Sequence, residues 1–277
     1  MATSTSTGKD AIAFDQVGRP VAIPVETSQD RVANRGALDR ERLFYVIAAF
    51  AMLVITAVGF RQFLLHGRSI GGAPMTPQIM RLIVAHGLAM LGWIALLFAQ
   101  SLLIYTGRLR LHMMLGRVGA VLAAAIVLLG LLVAPLSAHF NPDIYTAFGG
   151  ARFFLVLALA GPLMFGALAA IGIANRHRPE VHRPMMLLAT LAIMTGSLDR
   201  WPYMARLSAF VRGNVPVSHY GQILLLGALL FVLHAAMTRR ANRYYAVGYV
   251  GVAIASLLFV AIARSAAWNQ LAGLFVR

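Results

Sequence analysis

The chain contains no cysteine, which excludes disulfides, thiolate metal sites, iron–sulfur clusters, palmitoylation and covalently attached c-type haem. Any metal would have to be held by His, Met or oxygen. Acidic residues are nearly as scarce. Beyond Glu41 only Asp143, Glu180 and Asp199 remain, and none falls at the middle of an apolar segment. Proton-coupled carriers place carboxylates at membrane depth, and di-iron carboxylate oxidases need several inward carboxylates beside paired histidines, so both classes are disfavoured. The only lysine is Lys9, which leaves no membrane lysine to form a retinal Schiff base.

What the chain has in abundance is apolar surface. Of its 277 residues 60% are hydrophobic and 12% charged, with a mean hydropathy of +0.76; no soluble core of this size needs so much. Lipid leaves only helices and closed barrels as spanning structures, and continuous Leu/Ala/Val/Ile runs select helices over alternating strands. The expected fold is therefore all-α, a polytopic membrane bundle of seven transmembrane helices. The segments are 43–65, 82–105, 118–136, 153–173, 184–198, 222–237 and 245–262. Gly71, Gly72, Pro74, Gly107, Pro142, Pro202, Gly213 and Pro216 punctuate them. Pro184 suits a first helical turn, and Pro162 predicts a kink. Residues 1–42 are polar, carry both charge signs and lack an apolar core, and read as a flexible cytoplasmic tail ahead of a transmembrane domain at 43–277.

The formal net charge is +15. The arginines sit at segment ends, where they meet lipid headgroups, so the basicity is a topology signal and not a nucleic-acid footprint. Without the tail the arginines divide nine against nine. The expected cytoplasmic N-terminus in an inner membrane therefore rests on tail residues close to the first helix, such as Arg40 and Arg42, and on tighter clustering in the short tail-side turns, which hold Arg108, Arg110, Arg117, Arg176, Arg178 and Arg183.

The histidines also collect at segment ends. His66, His86, His139 and His219 fall toward the face opposite the tail; His112, His177, His182 and His234 fall toward the tail face. About 20 helical residues at roughly 1.5 Å each would separate His86 from His112. Any single interfacial histidine reads first as an amphipathic anchor or a bond to a helix-end carbonyl, the default for His66, His139 and His177. His86 heads a stripe with Trp93 and Gln100 at seven-residue intervals, which should face protein or a cavity, or else mark close helix packing through Gly87 and Gly92. His112 lies among Arg108, Arg110, Met113, Met114 and Arg117, and His182 among Glu180, Arg183, Met185 and Met186. Imidazole suits haem iron or copper, arginine can neutralise a propionate, and Met adds a soft thioether. A basic rim for lipid headgroups is the competing reading. Asp199 and Arg200, being adjacent, should each pair elsewhere.

Two stretches carry a resemblance to a known family. One runs from His86 through Gln100 and Arg108 to His112 and Leu115-Gly116-Arg117; the other runs from His182-Arg183 through Met185 to Arg200. Together they resemble an uncharacterised family of bacterial membrane proteins, the domain of unknown function 2306, over roughly residues 82–200. Members more often carry an acidic or proline-containing stretch before the equivalent of His112, and here Pro184 follows the His-Arg pair. That likeness implies an architecture and a set of suspect residues and no reaction. A looser similarity to cytochrome b561-type proteins implies haem b at both membrane faces, with His86 and His219 as one pair and His112 and His182 as the other. His182 and His219 stand closer to their helix starts than the ligands of those proteins do.

These observations predict a haem b-binding protein that exchanges electrons with a quinone or a respiratory-chain partner. Its expected site residues are His86, His112, His182 and His219, supported by Gln100, Arg108, Arg117, Arg183 and Arg200. Two other readings use the same residues. One is a copper- or haem-handling assembly factor with His and Met as transient ligands; the other is a cofactor-free membrane subunit whose polar stripes serve helix packing.

Overall fold

The computed structural model describes residues 11–14, 20–23, 28–67, 77–140, 142, 145, 149–201 and 220–276. Ahead of the bundle, strand β1 (Ala11–Phe14) pairs antiparallel with β2 (Pro20–Ile23). Among the described residues, every later element is a helix. Helix α1 runs Ser28–Gly59, α2 Arg61–His66, α3 Pro77–Tyr105, α4 Leu109–Phe140 and α5 Ala151–Ala174. Then follow α6 (Pro179–Ala192), α7 (Thr195–Leu198), α8 (Gly221–Thr238), α9 (Arg243–Arg264) and α10 (Ala266–Ala272). Residues 28–42, read from the sequence as tail, thus belong to the first helix.

Among the described residues six helices are long and apolar enough to cross a membrane: 36–59 of α1, and all of α3, α4, α5, α8 and α9. The fifth expected segment is present in a different form. It begins five residues earlier, at Pro179, so Pro184 sits inside α6 and not at its first turn. It also breaks at Ile193-Met194 before α7. The 14 residues of α6 rise only about 21 Å, short of the roughly 30 Å hydrocarbon core.

This short helix is the most enclosed part of the protein. Leu188, Ala189, Thr190, Leu191 and Ala192, and Met194 just beyond the helix, are all fully buried, and a stretch apolar on every side belongs inside. Helix α6 packs on α5, α9, α8 and α1, while α3 pairs with α1 and α4, and α4 with α5. The long helices therefore surround it and turn Leu, Val and Ile side chains outward, as lipid-facing helices do. Close packing of α3 on α4 rests on glycines: a side chain at Gly119 would meet Leu96 at 3.1 Å, and one at Gly116 would meet Gln100.

Two contacts fix the ends of this inner segment against α1. At the tail face Arg183 bonds Glu41 at 3.0 Å. At the far face Trp201 Nε1 donates to the Ile55 carbonyl at 3.0 Å. The far face is closed by the chain end: Arg152 Nε donates to the Val276 carbonyl, and Trp268 Nε1 donates to the Arg152 carbonyl. Ser137 and Tyr145 share a hydroxyl–hydroxyl bond beneath it.

Candidate functional site

His112 is the fourth residue of α4 and His182 the fourth of α6, so both stand in first turns at the tail face. Because α6 lies inside the ring of long helices, its first turn comes up against the first turn of α4. The two imidazoles lie with centroids 6.4 Å apart and planes at 88°.

The orientation of the His182 ring is set by backbone. Its Nδ1 lies 2.8 Å from the Gly172 carbonyl, which can only accept, so Nδ1 carries the proton and Nε2 is left as a lone-pair donor. This is how metal-binding histidines are commonly held. A side chain at position 172 would meet Met186 Sδ at 2.8 Å and Met185 Cβ at 3.2 Å, so glycine there lets α5 approach α6 closely enough for the bond. His112 Nδ1 is buried and has no hydrogen-bond partner. Gln100 reaches across the α3–α4 turn, its Nε2 donating to the His112 carbonyl at 3.1 Å.

The predicted stripe on α3 does face protein. Trp93 Nε1 donates to Thr190 Oγ1 of α6 at 3.0 Å, and its ring stands edge-on to Phe165 at 4.9 Å. His86 packs against α4 at Gly130, where the ring of Pro162 also approaches, and its Nδ1 is buried without a partner. His219, expected opposite His86, lies outside the described residues. His139 accounts for itself structurally, its Nδ1 bonding the Phe275 carbonyl at 3.1 Å.

Of the predicted arginines, Arg183 lies at the histidine pair and is held by Glu41, both side chains 21% exposed. Arg108 and Arg117 flank His112 on the exposed surface, with no side-chain partner among the described residues. Arg200 is at the other end of the bundle, 4.3 Å over the Phe60 ring and bonded to the Gly196 carbonyl at 2.5 Å. Asp199 accepts from Gln222 Nε2 at 3.1 Å, so the adjacent acid and base do each find separate contacts.

Two features of this face escaped sequence reasoning. One is the Glu41–Arg183 pair, whose members are 142 positions apart with nothing in either local pattern to link them. The other is His234, which is 3% exposed and has no hydrogen bond at either ring nitrogen. It stands among Phe44, Tyr45 and Tyr245 at centroid distances of 5.0, 6.0 and 6.3 Å. The only sequence signal was its place at the tail-side end of a span.

Removing one member of the Glu41–Arg183 pair leaves the other charge half-buried and unpaired. Arg183→Ala and Glu41→Ala are each expected to cost about 1–2 kcal/mol, and the double variant less than the sum. Unfolding in detergent across the double-mutant cycle measures the coupling; additive losses would mean that the pair contributes nothing.

Among the described residues no three His, Cys, Asp or Glu side chains converge as a metal site. The described histidines that come together as a pair are His112 and His182, and these two imidazoles are the residues that would hold a haem iron. No family model matches this chain, and no curated protein or solved structure is significantly similar to it.

Proposed function

We propose that this is a seven-crossing protein of the bacterial inner membrane, N-terminus cytoplasmic, that holds haem b between His112 and His182 and serves electron transfer. The seventh crossing is α6 with α7. It runs beside α1 from Glu41 to Ile55, and its 20 residues, 179–198, are long enough for the hydrocarbon core at about 1.5 Å each. The orientation rests on the arginines of the tail-side turns.

The observation that carries the cofactor reading is the crossed pair of imidazoles at 6.4 Å, with His182 Nδ1 committed to the Gly172 carbonyl. Bound there, haem would supply a one-electron iron couple. The chain's own part is to present two ring nitrogens at fixed spacing. Gln100 braces the backbone at His112, and Arg108 and Arg117 stand free nearby for the carboxylates of a porphyrin edge. A membrane quinone or a respiratory-chain protein is the expected electron partner, because the site sits at the membrane face where both can approach. His86 is the candidate ligand at the opposite face, with His219 as its expected partner.

The test is the absorption spectrum of the purified protein in detergent, oxidised and dithionite-reduced, after expression with added haem precursor. A Soret band that shifts on reduction is expected. His112→Ala and His182→Ala should each remove the tail-face haem and spare any absorbance due to His86. A wild-type protein that stays colourless after haem supplementation overturns the reading, and stoichiometric copper in its place would assign the site to metal handling.

A further inference from the structure

On the tail face, residues 37–41 of α1, the α5–α6 turn and the α8–α9 turn line a half-open cleft of about 600 Å³, in the range of small-molecule sites. His234 lines it from one helical turn below Thr238. A neutral imidazole always carries one N–H, and both His234 ring nitrogens are buried without a hydrogen-bond partner. Such an unmade bond is costly, and a ligand oxygen reaching it would remove that cost.

The charges at the mouth are not balanced. The two carboxylates that line it are engaged, Glu41 by Arg183 at 3.0 Å and Glu180 by Arg178 at 3.3 Å. Arg243 touches only the Tyr244 hydroxyl, at 2.9 Å, and the face of the same ring. Arg240 has no side-chain partner among the described residues. The neighbouring polar side chains are already committed: Thr238 Oγ1 donates to backbone carbonyls, and Asn242 Oδ1 caps α9 by accepting from Tyr244 and Tyr245 N–H. Among the described residues neither Arg240 nor Arg243 forms an ion pair within 4 Å, and with the unpartnered His234 imidazole they leave the lining rich in donors. The matching ligand is an anion with several acceptor oxygens.

We infer that this cavity binds a phosphate group, with Arg240 and Arg243 on its outer oxygens and the His234 N–H donating from below. The inference is independent of haem binding, since it uses none of the residues proposed to hold haem. The phosphate has two possible sources, the headgroup of an anionic phospholipid in the adjoining leaflet or a free phosphate in the adjoining water. Leu38, 45% exposed on the cavity wall, would give acyl chains a path outward in the first case.

Delipidated full-length protein in a neutral detergent is titrated calorimetrically with dihexanoyl phosphatidate, dihexanoyl phosphatidylcholine and inorganic phosphate. Saturable one-to-one binding of phosphatidate is expected, with Arg240→Gln/Arg243→Gln weakening it at least about tenfold. His234→Leu should weaken it too, and if that variant does not fold the arginine pair alone decides. Arg110→Gln/Arg176→Gln, which removes equal charge from the same face outside the cavity, should leave affinity unchanged. Binding of phosphatidate alone identifies a lipid headgroup, whereas inorganic phosphate binding as tightly identifies the free ion. The inference fails if neither binds saturably, if phosphatidylcholine binds equally well, or if the two arginine pairs behave alike.

Discussion

Gly59→Val is expected to leave little or no folded protein in the membrane, and Gly59→Ala to lower stability by about 1–3 kcal/mol. Gly59 is the last residue of α1 and lies against the backbone of α7. A Cβ there would overlap the Ser197 carbonyl oxygen and come within 3.0 Å of its carbon and 3.2 Å of its Cα. Flexible side chains can swing away from such a contact, but backbone moves only by displacing its helix. Ser197 Oγ is bonded to the Met194 carbonyl inside the break between α6 and α7, and Trp201 a few residues on is tied to Ile55. The inner segment would have to withdraw from α1 as a unit. Yield of monodisperse protein and thermal unfolding in detergent check this. Gly251→Ala, where a Cβ meets nothing within 4 Å, should be near neutral, and equal losses at the two positions would sink the argument.

Trp93→Ala should be the most damaging truncation within the bundle, costing about 3–5 kcal/mol, while Trp93→Phe should cost clearly less. The indole is 3% exposed and joins three helices: it sits on α3, its N–H reaches Thr190 of α6 and its ring meets Phe165 of α5. Truncation opens a cavity at that junction, and in a membrane bundle packing is the main force between helices. Phenylalanine keeps most of the volume and loses the N–H bond. Thr190 Oγ1 still donates to the Met186 carbonyl at 3.0 Å, so its hydroxyl is not stranded. Equal destabilisation by the two variants would mean that the hydrogen bond, and not the packing, carries the contact. Because Thr190 lies two helical turns from His182, a shift of α6 should also disturb the histidine pair, which the absorbance of a haem-loaded sample would read.

The helical class was legible because it follows from local composition. Apolar runs of Leu, Ala, Val and Ile in lipid have no other way to satisfy their backbone, and six of the seven expected segments appear as long helices. The facing of the α3 stripe was also legible, since polar side chains at seven-residue intervals cannot all meet lipid. The fifth segment was harder to read. Its composition resembles that of its neighbours, and the break at Ile193-Met194 carries no proline or glycine at those two positions. Its burial on every side depends on what the other helices leave room for.

Chain order and composition thus decide which stretches are apolar enough to leave water, because that is a property of a single segment in a hydrophobic medium. The pairing of the histidines is different in kind. His112 meets His182, His234 goes into an aromatic enclosure, and Glu41 finds Arg183 only because a short helix is seated inside a ring of longer ones. Helix rotation and depth come from many weak packing contacts summed over the whole bundle, and no local pattern encodes that sum.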